Sequence, residues 1–127
     1  MKLYETIQKP MISPPAWIFP VVWTILYTLM GISAYLILTS KGEKEEIKDA
    51  IAIFAYQLIV NLIWPTLFFK FQWFFVSFQW ILLLVFLVAT MIRKFWELSK
   101  TAAYLNIPYL VWLCFAAYLN FTIWWLN

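Results

Sequence analysis

Four stretches of this chain run for 20 residues or more without Asp, Glu, Lys or Arg: residues 16–38, 50–69, 71–92 and 101–126. A helix crosses the hydrocarbon core of a bilayer in about 20 residues. Inside lipid every backbone N–H and C=O must be satisfied by the protein itself, so only helices and closed barrels span. The stretches lack the alternation of barrel strands. The chain therefore reads as all-α, an integral membrane bundle of four transmembrane helices. Its 127 residues are one domain, with a proline-rich segment over 1–15 ahead of the first helix.

Composition supports that class. Apolar residues make up 65% of the chain and charged residues 12%, against about 45–50% and about 25% in soluble domains. That excludes a soluble globular domain and a disordered chain. The first stretch is too long for a secretory signal, and no small-residue cleavage site follows it. His is absent, which removes the commonest general base and metal ligand. No metal site and no acid–base catalytic set is expected. Cys114 is the one cysteine and has no intrachain partner. The net charge of +3 contains no basic block, so nucleic acid is not an expected partner; the excess suits anchoring on anionic lipid.

Call the side that holds the N-terminus side one. Lys2, Lys9 and Lys70 fall there. Lys41, Lys44, Lys48, Arg93, Lys94 and Lys100 fall on side two. That bias places the loops after the first and third spans in the cytoplasm. Gly42 marks the turn before the second helix, and Glu43 to Asp49 form its solvated start, acidic residues being favoured at a helix N-terminus. Trp17, Trp73, Trp96, Trp124 and Trp125 sit where an interfacial aromatic belt belongs.

Deeper aromatics form stripes at helical spacing. These are Phe19, Trp23 and Tyr27; Gln57, Asn61, Trp64 and Phe68; Trp73, Ser77, Trp80 and Leu84; and Tyr109, Trp112, Ala116 and Asn120. Ordinary packing, with amide and hydroxyl groups bonding between helices, accounts for any one of them. Within them Trp23, Asn61, Trp80, Ala116 and Asn120 lie about seven to ten residues below side one, at matching depths for a rise of about 1.5 Å per residue. Their convergence would make a mostly apolar pocket with a few orienting polar groups, suited to a large, flat, amphiphilic ligand. Pro10, Pro14 and Pro15 stiffen the segment before the first helix, which is placed to cap such a pocket or to serve as a plain entry loop. Pro65 and Pro108 each remove a backbone donor within a span and kink it, opening space or merely accommodating packing.

These residues resemble a known pattern. Tyr4, Lys9-Pro10, Pro14-Pro15, Trp17, Phe19, Trp23-Thr24, Tyr27 and Gly31 are similar to the opening signature of the TspO/MBR family. Asn61, Trp64 and Phe68-Phe69 resemble its next block. Pro108-Tyr109, Trp112, Phe115-Ala116, Leu119-Asn120, Ile123-Trp124 and Asn127 resemble its C-terminal block. The family includes tryptophan-rich sensory proteins and the benzodiazepine-receptor-like translocator proteins. The resemblance implies binding of porphyrins or other tetrapyrroles as ligand, with no obligatory cofactor, by a homodimer in a bacterial cell membrane. It matches Trp23 and Trp112 to the tryptophans that face the ligand, which some members link to light-dependent porphyrin breakdown. It matches Asn61, Trp64 and Phe68 to the next helix's share of the pocket, Pro14, Pro15 and Ala16 to the loop rim, and Tyr4 to the start of that loop. The stripes add Phe19, Tyr27, Trp80 and Ala116 to the expected ligand contacts.

The family has five transmembrane helices, and the four here leave its first without a counterpart. One wall of the bundle is then expected to be open and covered by a partner helix, a second protomer or lipid. Tyr118 is followed by no basic residue, so cholesterol binding is unsupported, and haem held by an axial His is excluded. A proton-coupled exporter needs an intramembrane carboxylate, which no span has. An enzyme would have to rely on tryptophan photochemistry. A structural protein with a vestigial pocket is the remaining alternative.

Overall fold

The computed structural model describes residues 17–126. Their helices are α1 (Ile18–Leu38), α2 (Lys44–Pro65) with a π-helical turn (Thr66–Lys70), α3 (Phe74–Leu98), α4 (Lys100–Leu105) and α5 (Ile107–Leu126). α1, α2 with its π turn, α3, and α4 with α5 are each long and apolar enough to cross a membrane. The protein is an integral membrane helical bundle.

Local chemistry sets the breaks. α2 begins six residues before its apolar stretch, with Glu45 and Glu46 in its first turn at the positive end of the helix. Pro65 has no N–H to offer the Asn61 carbonyl four residues back, and beyond it the backbone widens into the π turn, where Phe71 N–H bonds the Thr66 carbonyl at 3.1 Å. Gln72 takes φ 57°, and this left-handed residue reverses the chain into α3. The third helix starts at Phe74 rather than 71 and runs on to Leu98, because Arg93, Lys94 and Glu97 continue it into water. Extended Ser99 separates α3 from α4, and its hydroxyl caps α4 by accepting from Ala102 N–H at 3.3 Å.

The fourth span was expected as one helix kinked by Pro108. It is two helices, divided at Asn106. Pro108 sits in the first turn of α5, where a missing N–H costs little; the chain breaks just before it, and Asn106 Nδ2 bonds back to the Ala102 carbonyl at 3.0 Å.

α3 packs against α2, α4 and α5, while α1 packs against α2 and α4. The buried residues of α3, Ser77, Ile81, Leu84, Val88, Met91 and Phe95, recur at four and three in turn, the seam spacing of knobs-into-holes packing. Leu26, Met30 and Ile37 of α1 and Leu113 of α5 complete the same core. Large residues such as Ile25, Ile59, Phe86 and Val111 are exposed outward, as a lipid solvent requires. Lipid tails are as apolar as Leu, so helix association rests on packing and interhelical hydrogen bonds.

Two buried polar networks supply those bonds. In one, Tyr27 OH donates to Asn61 Oδ1 (2.5 Å), Asn61 Nδ2 donates to Tyr109 OH (2.7 Å), and Tyr109 OH donates to Gln57 Oε1 (2.6 Å). Gln57 Nε2 ends the chain 3.8 Å from Met30 Sδ. This network ties α1, α2 and α5 together. In the other, Asn120 Oδ1 accepts from Trp64 Nε1 (3.1 Å) and lies 3.0 Å from Ser77 Oγ, while Asn120 Nδ2 donates to the Phe74 carbonyl (2.8 Å). It ties α2, α3 and α5.

Candidate ligand-binding site

A cavity of about 320 Å³ lies between the first turns of α1, the end of α2 with its π turn, and the side-one half of α5. Each element reaches it by helical spacing. α1 contributes Phe19 and Trp23, four residues apart. α2 contributes Trp64 and Pro65, and the π turn Phe68 and Phe69. α5 contributes Trp112, Ala116, Leu119, Asn120 and Ile123. Ala116 leaves room where a larger side chain would fill the space.

The rings are locked against one another. Trp23 and Trp112 meet edge to face with centroids 6.5 Å apart and planes at 87°, and Phe19 meets Trp112 at 5.7 Å and 64°. Trp64 stacks on Phe68 at 5.0 Å. Trp23 also stacks on Tyr27 at 5.6 Å and meets the edge of Tyr109 at 6.3 Å. The second network backs the wall: Trp64 N–H and the Asn120 amide spend their hydrogen bonds within the protein. The buried Trp112 Nε1 has no hydrogen-bond partner among the described residues. The site is thus an aromatic cleft whose lining holds no charged residue. Among the described residues no group of three His, Cys, Asp or Glu could hold a metal ion.

The TspO/MBR family model matches residues 1–126. The chain belongs to the TspO/MBR family. It is 44% identical to the tryptophan-rich protein TspO of Chlorobaculum tepidum, with 98% of this chain and 78% of that protein covered. It is 34% identical to the protein CrtK of Rhodobacter capsulatus over 98% and 78%. It is 35% identical to the human translocator protein over 98% of this chain and 74% of that one. These relatives are thus named as tryptophan-rich, CrtK and translocator proteins.

Of the residues expected at the site, Phe19, Trp23, Trp64, Phe68, Trp112 and Ala116 line the cavity. Tyr27 and Asn61 do not; they stand behind Trp23 in the hydrogen-bonded network. Trp80 also lies off the cavity wall. Its indole N–H donates to the Val60 carbonyl at 2.8 Å, so it fastens α3 to α2. It shares the cavity's depth but stands on the α2–α3 seam, which depth alone could not reveal. Tyr4, Pro14, Pro15 and Ala16 lie outside the described residues. The cavity also takes Pro20, Phe69, Leu119 and Ile123, which the stripes omitted. Leu119 and Ile123 follow Ala116 at i+3 and i+7, a signal present in the sequence. Phe69 is brought in by the π turn, whose wider register no 3.6-residue pattern anticipates.

Proposed function

We propose that this TspO/MBR protein is a membrane receptor or sensor that binds a porphyrin or related tetrapyrrole in the aromatic cleft between α1, α2 and α5. The observation that carries the reading is the cavity itself. It is lined on three sides by Trp23, Trp64 and Trp112 and by little that is polar. A pocket of this kind suits a flat, largely apolar ligand held by ring contacts and shape. At about 320 Å³ it is at the small end of ligand pockets, and it is partly open, so a macrocycle enters edge first with its periphery outside. Association as a homodimer is part of the same proposal.

Light-driven porphyrin breakdown is a second reading. The edge-to-face pair of Trp23 and Trp112 favours it, since both indoles would border the bound ring. Titration with protoporphyrin in detergent, read by Soret absorbance and Trp fluorescence, tests the binding. Saturable binding that weakens about fivefold in Trp23→Phe/Trp112→Phe is expected, each smaller ring giving up part of a contact that contributes about 0.5–1.5 kcal/mol. Partitioning without saturation would refute the receptor reading. Loss of the porphyrin spectrum under illumination, abolished in the double variant, separates breakdown from binding.

A further inference from the structure

At the side-two end of the bundle, Arg93 and Lys100 stand outside the crevice that gathers acidic side chains. Glu46 and Asp49 of α2 share a crevice with Lys94 and Glu97 of α3, so the acidic side chains there gather on the α2–α3 side around one lysine. Arg93 and Lys100 are not part of that crevice, and both are exposed. Among the described residues neither is held in an ion pair.

What surrounds Lys100 is aromatic. Its Nζ lies 5.2 Å from the centroid of the Trp96 ring. Trp96 in turn meets Tyr104 edge to face at 5.3 Å and 81°. These rings are 43% and 61% exposed, although each is large enough to be buried at gain in water. Among the described residues the indole N–H of Trp96 and the hydroxyl of Tyr104 have no hydrogen-bond partner. Arg93 precedes Trp96 by three residues on α3, one turn below it. Extended Ser99 ends α3 and starts α4, which brings Tyr104 back beside Trp96. The result is a small platform at the edge of the hydrocarbon core. It offers two unpaired cations, two free donors at ring edges, and exposed apolar ring faces.

We propose that this platform of Arg93, Trp96, Lys100 and Tyr104 is a binding site for an anionic phospholipid. The phosphate lies against the Lys100 ammonium and the Arg93 guanidinium. The Trp96 N–H and Tyr104 OH meet the glycerol and ester oxygens, and an acyl chain runs down the exposed rings. Charge complementarity selects an anionic headgroup, and the apolar rings select a lipid over a free phosphate. The basic bias of this end places the site in the cytoplasmic leaflet, where anionic lipid attracts Lys and Arg. The cleft between α1, α2 and α5 is separate from it.

The test is native mass spectrometry of the full chain in detergent with phosphatidylglycerol or phosphatidylcholine of matched acyl chains. The wild type should retain phosphatidylglycerol in preference. Arg93→Gln/Lys100→Gln should lower its apparent affinity about 25-fold, from about fivefold per basic residue at a membrane surface, and leave phosphatidylcholine unchanged. Lys100→Arg should retain binding, and Trp96→Leu should weaken it with all charges kept. Lys44→Gln/Lys48→Gln removes two cations from the same end beside the acidic cluster and should change binding less than about twofold. Equal retention of the two lipids, or an equal loss in the Lys44/Lys48 pair, would overturn the site in favour of diffuse charge. Competition by millimolar inorganic phosphate would show a phosphate site rather than a lipid site and overturn it equally.

Discussion

Replacing Tyr109 by Phe removes one oxygen from the centre of the bundle and two hydrogen bonds with it. That oxygen donates to Gln57 Oε1 at 2.6 Å and accepts from Asn61 Nδ2 at 2.7 Å. Gln57 is fully buried and Asn61 is 3% exposed, so no water replaces the lost partner. Hydrogen bonds between membrane helices contribute about 0.6 kcal/mol on average and up to about 1.7. Two of them, with a buried amide left unpaired, set an expected loss of about 1–3 kcal/mol. The ring itself stays, and with it the contact to Trp23 at 6.3 Å, so ligand affinity should hold within about twofold. The assay is unfolding in mixed micelles of rising dodecyl sulfate content, followed by far-UV circular dichroism. Tyr27→Phe is the comparison. It removes one bond to Asn61 from a ring that is 37% exposed, and should cost less than Tyr109→Phe. A loss under about 0.5 kcal/mol for Tyr109→Phe, or a larger loss for Tyr27→Phe, would refute the idea that this network holds α1, α2 and α5 in register.

Three further outcomes are expected. Ala116→Leu fills the cavity from α5; porphyrin binding should be lost while the unfolding free energy holds within about 1 kcal/mol, and undiminished binding would place the ligand elsewhere. Pro65→Ala returns the amide that the Asn61 carbonyl lacks, so the π turn should relax toward α geometry and re-aim Phe68 and Phe69. Helicity should rise and ligand affinity fall, and an unchanged affinity would show that the π turn does not shape the cleft. Gln72→Gly relieves a left-handed backbone at φ 57° and should stabilise the fold by about 1 kcal/mol in the same micelle assay; a loss of stability would show that the Gln72 side chain matters more than its backbone.

The aromatic faces of α1, α2 and α5 were legible because a helix maps spacing onto direction. Phe19 with Trp23, Trp64 with Phe68, and Trp112 with Ala116 all reach the cavity as their spacing implies. Trp80 was misplaced for a definite reason. Spacing and depth give its helix face and level but not the neighbour across from it, and that neighbour is the Val60 carbonyl. Phe69 was missed because the backbone there departs from 3.6 residues per turn.

The sequence by itself determined that this chain lives in a membrane and crosses it as helices. Uncharged runs of this length have no other stable solution when lipid offers backbone groups no partner. Its three spaced motifs also carried the family. Only the tertiary structure decided which polar side chains reach the cavity and which hold helices together. Asn61, Gln57, Tyr109 and Asn120 read alike in a stripe, yet each finds its partners on another helix. Hydrogen bonds between spans depend on the distance and rotation of one helix against the next, and no pattern within a single helix contains either quantity.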